Sequence, residues 1–161
     1  MGAGDDQVGT VHGDVGIVEF EPGHVDGYRQ LVMDTLREFG FEPDPQIDPD
    51  LEDPLATYRA LWVALADGEV IGSIALRDLG DGALELKRMY LRREARGRGL
   101  GKRLLATALD HARKSGADVV RLDTSERMET ARHLYEAHGF VRVSGYAPRQ
   151  GQQRLLYELR L

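Results

Sequence analysis

A basic, glycine-rich segment in the middle of the chain has the residue types of an anion-binding site. It follows a strand-like run at 84–91 and reads Arg96, Gly97, Arg98, Gly99, Leu100, Gly101, Lys102. Beyond it, apolar residues recur at the spacing of one buried helix face: Leu100, Leu104, Leu105, Ala108, Leu109 and Ala112. A helix start leaves backbone N–H groups without partners at the positive end of the macrodipole, and glycines let an anion approach them closely. The segment is therefore predicted to bind a phosphate-bearing ligand.

Two familiar phosphate loops do not fit this segment. The first glycine of a Walker loop would fall on Arg96, and the residue after Lys102 is Arg103 instead of serine or threonine. The third glycine of a dinucleotide fingerprint that starts at Gly97 would fall on Lys102. The segment is therefore not expected to hold a nucleoside triphosphate or a dinucleotide in either of these ways.

The spacing that does fit is Arg-x-x-Gly-x-Gly, formed by Arg96, Gly99 and Gly101, and a second block follows at 131–140, ARHLYEAHGF. Together they resemble the acyl-coenzyme A pyrophosphate loop and the downstream helix of the GNAT superfamily of N-acyltransferases, with the best match over roughly 61–140. The resemblance implies acetyl-CoA as cosubstrate, with its pyrophosphate held by 96–102. It also implies a single-domain α/β fold of about seven mixed strands, a splayed central strand pair and about four helices.

The hydrophobic pattern predicts the elements of such a fold. Asp67 and Gly68 between two apolar runs predict a hairpin of 61–66 and 69–76. Helices are predicted at 24–39 and 100–115, and Thr124 or Ser125 is expected to cap a third. The strand at 119–124 should lie parallel to the central strand, because a helix crosses between them. Final strands are predicted at 140–144 and 154–161, joined by a loop at 145–153.

The central strand changes its inward parity from Leu84 and Leu86 to Met89 and Leu91. A strand can keep one face buried across such a change only by inserting a residue, so a β-bulge is predicted at 87–89. The resemblance implies that the pantetheine arm lies beside this strand, against the backbone of Met89, Tyr90 and Leu91.

Acetyl transfer from a thioester to an amine needs an unprotonated nucleophile, a stabilised oxyanion and a proton for the departing thiolate. The resemblance assigns the proton to Tyr135 and a general-base role to Glu85, directly or through water, with the Met89 N–H as oxyanion partner. Tyr135 also fits an ordinary core position, and Glu85 a solvated carboxylate beside Lys87. The expected activity is N-acetyl transfer to a small-molecule or peptide amine by direct attack in a ternary complex. The alternative is a catalytically silent acyl-CoA-binding module.

Length and composition indicate one soluble domain. A chain of 161 residues that is 42% hydrophobic can bury one core of ordinary size, expected over 15–161, with 1–14 disordered. There are no cysteines and no apolar run near the ~20 residues of a membrane span, so a cytoplasmic protein without a membrane partner is expected. The five histidines lack metal-ligand spacing, so no metal is assigned. The resemblance adds a homodimer as an expectation.

Charge is unevenly distributed along the chain. The net charge is −6, yet residues 1–56 carry fourteen Asp and Glu against two Arg, while 87–103 carry eight Lys and Arg against Glu94 alone. The overall acidity argues against nucleic-acid binding, and the basic run favours a polyanionic ligand at the glycine loop. The acidic loop, with Asp44, Asp48, Asp50, Glu52 and Asp53, fits either attraction of a cationic acceptor or simple solvation.

Overall fold

The computed structural model describes residues 14–144 and 154–161, so residues 1–13 of the predicted disordered segment and the predicted loop at 145–153 lie outside the described residues. The described chain contains seven strands and four helices. In chain order they are β1 (Gly16–Glu19), α1 (Val25–Glu38), α2 (Pro54–Thr57), β2 (Ala60–Ala66), β3 (Glu69–Gly80), β4 (Ala83–Leu91), α3 (Leu100–Lys114), β5 (Val119–Ser125), α4 (Glu129–Ala137), β6 (Val141–Val143) and β7 (Arg154–Arg160).

The strands form one mixed sheet in the order β1-β2-β3-β4-β5-β7-β6. All neighbouring pairs are antiparallel except β4 and β5, which are parallel and joined through α3. The β2–β3 turn uses Asp67 and Gly68 at φ of 50° and 79°, which is the left-handed backbone of a tight hairpin. The predicted α/β class, the parallel pair and the hairpin are confirmed.

The predicted β-bulge is present in β4. Tyr90 pairs with Ser73 and Lys87 pairs with Ala75, so three steps along β4 face two along β3. Arg88, inside the bulge, has a φ of 55°. The extra residue returns Met89 and Leu91 to the hydrophobic cluster that already holds Leu84 and Leu86. The bulge thus lets one strand bury the same face on both sides of the parity change.

The central parallel pair is splayed. Strands β4 and β5 pair only from Ala83 with Val119 to Glu85 with Arg121, although both strands continue beyond these residues. From Leu86 onward β4 has no ladder partner on the β5 side among the described residues. The separation leaves the end of β4 open to ligands.

Helices cover both faces of the sheet. Helix α3 buries Leu104, Leu105 and Ala108 in one cluster, and α1 buries Tyr28, Val32 and Leu36 in a second cluster on the opposite face. None of the described helices combines the length and hydrophobicity needed to span a bilayer. The two packed faces hold β4 and the loop after it in fixed positions.

The start of α4 differs from the prediction. The helix begins at Glu129 with Met128 at its N-cap, and no side chain caps it. The Ser125 hydroxyl accepts instead from the N–H of Arg127 at 3.2 Å, inside the turn before the helix. Residues 126–128 therefore form a connection between β5 and α4 that lies beside the splayed strands.

Candidate active site

The glycine loop forms one wall of a groove at the start of α3. Gly97 and Gly99 both have a φ of 77°, a conformation that favours glycine, and Gly99 is the N-cap residue of α3. A Cβ added to Gly101 would lie 3.0 Å from the Met89 side chain, so glycine lets the helix approach β4 closely. The first N–H groups of α3 have no intrahelical acceptors and provide donors for an anion.

The groove has a volume of about 500 Å³ and lies between the end of β4, the glycine loop and the start of α4. It brings together nine of the residues predicted to bind the cofactor: Met89, Tyr90, Leu91, Arg96, Gly97, Gly99, Leu100, Gly101 and Lys102. Arg98, the remaining member of that set, is exposed and does not line the groove. The connection before α4 and the first turn of α4 contribute further lining that the sequence analysis missed, namely Arg127, Met128 and Thr130.

Arg96 is held by the last turn of α1. Its two terminal nitrogens donate to Glu38 at 2.6 and 2.7 Å, and it also donates to the Leu91 carbonyl. The hydrogen bond from Arg96 holds the pKa of Glu38 below its ordinary value. Lys102 and Arg127 have no carboxylate partner among the described residues. The groove therefore contains one cation that is paired with a carboxylate, Arg96, and two cations without such a partner among the described residues, Lys102 and Arg127.

A second cavity of about 240 Å³ lies on the other side of the bulge. It shares Met89, Tyr90 and Met128 with the groove, so the two spaces meet at the end of β4. Its other lining residues come from α1, the acidic loop, β4, β5, α4 and β7: Leu36, Phe41, Ile47, Leu86, Lys87, Arg88, Asp123, Thr124, Tyr135 and Arg154.

Tyr135, the predicted proton donor, projects from α4 into the second cavity. Burial raises the pKa of Tyr135 well above its ordinary value, so the phenol stays protonated at neutral pH. The hydroxyl makes no hydrogen bond within the described residues, while the ring packs against Phe140 at 5.7 Å between centroids. The side chain thus combines a core position with a hydroxyl that is available at the cavity.

Glu85, the predicted base, lies outside the lining of both cavities. Its Oε1 lies 2.7 Å from Arg77 Nη2, as an ion pair without hydrogen-bond geometry, and 3.9 Å from Lys87 Nζ. Lys87 lines the second cavity. The Glu85 carboxylate therefore contacts the cavity lining through its ion pair with Lys87, and the structure does not bring Glu85 together with Tyr135.

Arg88 belongs to a buried cluster that the sequence analysis did not anticipate. Its guanidinium donates to both carboxylate oxygens of Asp50 at 2.9 and 2.8 Å and to Asp48 at 2.7 Å. Asp48 and Asp50 are 0% and 1% exposed. Burial alone would raise the pKa of Asp50, but the hydrogen bonds and the charge of Arg88 outweigh it and hold the pKa below its ordinary value. The two roles predicted for the acidic loop, attraction of a cationic acceptor and simple solvation, are therefore both wrong for Asp48 and Asp50. Arg88 is likewise not available to a polyanionic ligand.

The groove fits a ligand with a diphosphate and a long uncharged arm. Backbone donors at the start of α3 and the cations Lys102 and Arg127 line it, and the exposed edge of the splayed β4 continues toward the second cavity. Apolar side chains of Met89, Leu91 and Leu134 line the same groove. These are the groups that could hold coenzyme A, with its pantetheine arm against β4.

Comparisons with known proteins agree with this geometry. The model of the acetyltransferase (GNAT) family matches residues 28–140. A Schizosaccharomyces pombe protein named as an uncharacterised N-acetyltransferase is 31% identical over 132 residues, which cover 78% of this chain and 81% of that protein. The GNAT-family acetyltransferase of Staphylococcus aureus Mu50 has a TM-score of 0.82 at 21% identity, covering 91% of this chain and 99% of that one. PaiA N-acetyltransferase of Thermoplasma acidophilum, solved with coenzyme A, has a TM-score of 0.71 at 19% identity, covering 92% and 100%.

The mixed sheet, the splayed pair and the groove define an acyltransferase fold. The chain belongs to the GNAT family of acetyltransferases, and the resemblance seen in the glycine loop is confirmed. It is an acyltransferase of the N-acetyltransferase type, with acetyl-CoA as cosubstrate.

Proposed function

We propose that this acetyltransferase moves the acetyl group from acetyl-CoA directly to a small-molecule or peptide amine while both substrates are bound. The observation that carries the proposal is the meeting of the groove and the second cavity at Met89, Tyr90 and Met128. A thioester held in the groove and an amine held in the second cavity would be neighbours there. Because the chain has no cysteine, it offers no thiol for a covalent acyl-enzyme.

In the groove, the N–H groups at the start of α3 and the side chains of Arg96 and Lys102 bind the diphosphate. The backbone at 89–91 binds the pantetheine arm, as the edge left free by the splay permits. This assignment is supported by the glycine conformations at Gly97 and Gly99 and by the cations that line the same space.

At the junction, the amine nitrogen attacks the carbonyl carbon, a C–N bond forms and the C–S bond breaks. Tyr135 donates its proton to the departing sulfur, and the N–H of Met89 stabilises the negative charge on the oxygen. The proton lost by the amine passes through water toward Glu85 beside Lys87. The protonated state of Tyr135 at neutral pH supports its role as the acid.

Initial-rate kinetics test the direct attack. With both substrates varied and coenzyme release measured, a ternary complex predicts reciprocal plots that intersect. Parallel lines would show that the acetyl group leaves acetyl-CoA before the amine binds, and would contradict the proposal.

One observation favours a second candidate, a silent acyl-CoA-binding module. Glu85 does not line either cavity, so the amine lacks a carboxylate base in direct contact. Turnover assays of Glu85→Gln and Tyr135→Phe separate the two functions. If the protein is an enzyme, the turnover rate should fall at least in Tyr135→Phe. If it is a binding module, neither the wild type nor the variants should show turnover above the uncatalysed rate.

Two further expectations stay predictions of the sequence analysis, namely the cytoplasmic location and the homodimer. Cell fractionation tests the first. Light scattering at several protein concentrations tests the second, with a mass of twice 17.9 kDa expected for a dimer.

A further inference from the structure

The carboxylates of the acidic loop do not line the second cavity. The connection between α1 and α2 contributes the apolar residues Phe41 and Ile47 to the lining, while Asp48 and Asp50 bind Arg88. Arg88 is itself 7% exposed and binds both of these carboxylates, so its guanidinium is not available to a ligand. Ligand binding is therefore left to the other polar side chains of the cavity.

The charged groups that remain at the cavity are Lys87, Asp123 and Arg154. Arg154 Nε donates to Asp123 at 2.9 Å, and Lys87 Nζ lies 3.8 Å from the same carboxylate. Burial alone would raise the pKa of Asp123, but the two cations hold it below its ordinary value, so Asp123 stays ionised at neutral pH. Lys87 and Arg154 thus share the Asp123 carboxylate, and Lys87 Nζ also lies 3.9 Å from Glu85 Oε1, which is outside the cavity lining.

Arg154 is positioned with a free edge. It donates through Nε to the Asp123 side chain and through Nη2 to the Asp123 carbonyl, and its guanidinium lies 5.6 Å from the centre of the Phe41 ring. Its Nη1 makes no hydrogen bond within the part of the chain that the structure describes. The side chain is only 12% exposed, so a donor on it meets an anion in a largely water-excluded place, where charge-assisted hydrogen bonds are strong.

The rest of the lining limits the size of the ligand. The apolar side chains of Leu36, Phe41 and Ile47 face a space of about 240 Å³. This volume is below the roughly 300–1,000 Å³ typical of pockets for drug-sized ligands. It suits a short carbon chain better than an aminoglycoside.

We propose that the acceptor is a small amine that also carries a carboxylate, as an amino acid does. The carboxylate binds the free edge of Arg154 with help from Lys87, and the amine nitrogen lies at the junction near Tyr135. This inference rests on the proposed acetyl transfer and names the acceptor class for the same site.

Matched pairs of acids and amides test the inference. Coenzyme release is measured with glycine and glycinamide, with β-alanine and β-alaninamide, and with spermidine as a cationic amine. We expect each acid to have at least a tenfold higher kcat/KM than its amide and than spermidine. The amide has the less basic amine and so the larger unprotonated fraction, which means that a preference for the acid cannot come from amine basicity.

Variants of the cavity residues test which side chain determines the preference for the acid over the amide. Arg154→Gln should raise KM for the acid at least tenfold with a smaller change in kcat, and should bring the acid-to-amide ratio close to one. The matched control is Arg121→Gln, since Arg121 also joins β5 to β7 through a carboxylate, Glu158, but lies outside the cavity. The control should keep the ratio of the wild type. Lys87→Gln provides a second variant and should lower the ratio by a smaller factor if Arg154→Gln does not fold.

The outcomes separate this inference from the proposed function. Amides or spermidine turning over better than the acids would overturn the acceptor class and leave acetyl transfer intact. An unchanged ratio in both Arg154→Gln and Lys87→Gln would also overturn it. Absence of turnover with every amine, in protein that still binds acetyl-CoA, would overturn the proposed transfer to small amines and this inference with it.

Discussion

Arg88 and Arg96 belong to the same basic run of the sequence, but the structure uses them in opposite ways. Arg88 is buried in the bulge of β4 and binds Asp48 and Asp50. Arg96 is half-buried at the groove and binds Glu38. The first pair of carboxylates is shut away from ligands, whereas the second contact lies at the edge of a large open groove.

The comparison explains the charge pattern of the chain. Acidic residues of the first third pair with the basic run: Asp48 and Asp50 with Arg88, Asp34 with Arg92, and Glu38 with Arg93 and Arg96. These ion pairs therefore neutralise much of the uneven charge distribution that the sequence shows. Lys102, which has no such partner among the described residues, faces no competition for an anionic ligand, whereas Arg96 must exchange Glu38 for it. Arg88 is closed off by burial and stabilises the fold, whereas Arg96 lies at the accessible groove.

The largest expected effect is on stability, in Arg88→Met. Removing the guanidinium leaves two buried carboxylates without a cation, which typically costs about 3–5 kcal/mol. Urea denaturation should show this loss in the free energy of unfolding. The control Arg113→Met, at an exposed position near the end of α3, should stay within about 0.5 kcal/mol of the wild type. A loss below about 1 kcal/mol in Arg88→Met would contradict the structural role of the cluster.

The pH dependence of stability in the same variant provides a second test, because the direction of the expected change is known. In the wild type the pKa of Asp50 is lowered, so its contribution to stability is present above its unfolded pKa of about 3.9 and is lost as pH falls below that value. Without Arg88, burial raises the pKa of Asp50, and stability is regained as the carboxyl takes up a proton. The stability difference between wild type and Arg88→Met should therefore narrow from pH 7 to pH 4. A constant difference would contradict this account.

The next effect is on rate, in Tyr135→Phe. Loss of a positioned acid typically lowers a rate by about 10²–10⁴-fold, and we expect kcat to fall about 100-fold. Stability should change little, because the hydroxyl makes no hydrogen bond within the described residues. Tyr157→Phe is the control: its hydroxyl donates to Glu136 at 2.7 Å, so this variant should lose stability and keep kcat. An unchanged kcat in Tyr135→Phe would remove Tyr135 from the chemistry.

A smaller effect is expected on affinity, in Lys102→Gln. One charge-assisted hydrogen bond to a phosphate contributes about 1.5 kcal/mol, or roughly tenfold in the dissociation constant of coenzyme A. Lys114→Gln, at the other end of α3, should leave this constant unchanged, and neither variant should alter stability appreciably. Equal affinities for coenzyme A in all three proteins, measured by calorimetry, would place the diphosphate away from Lys102.

The smallest expected effect concerns Glu38→Gln. Glu38 occupies both terminal nitrogens of Arg96, so a diphosphate must compete with it for the same donors. Removing the charge should tighten coenzyme A binding by about two- to fivefold, within the range of a part-exposed ion pair. Asp34→Asn, which removes the partner of Arg92, provides the control. Weaker binding in Glu38→Gln would mean that Glu38 orients Arg96 for the ligand instead of competing with it.

Local patterns predicted most of the fold. The bulge followed from the parity of Leu84, Leu86, Met89 and Leu91, because a pleated strand has a strict period of two. The hairpin followed from Asp67 and Gly68. The start of α4 was missed because Ser125 bonds within the preceding turn, a use of serine that competes with capping and has the same sequence signature.

The sequence was more informative about the groove than about the buried Arg88 cluster. The glycine loop is continuous in the chain, so its spacing indicated the groove residues within 96–102, whereas Met89, Tyr90 and Leu91 were assigned through the resemblance to the family. The Arg88 cluster joins residues 38 and 40 positions apart, which no local pattern specifies. One signal was present: residues 38–58 contain seven carboxylates and no lysine or arginine, so buried members of that set needed a distant cation.

The account depends most on the binding of acetyl-CoA in the groove beside Arg96, Gly99 and Lys102. Calorimetric titration of the wild type and of Gly99→Val with acetyl-CoA tests it directly, since Gly99 has a φ of 77° at the start of α3 that a β-branched residue strains. We predict saturable one-to-one binding by the wild type and at least tenfold weaker binding by a folded Gly99→Val. Absence of saturable binding by the wild type, or equal affinity in the variant, would contradict the central claim.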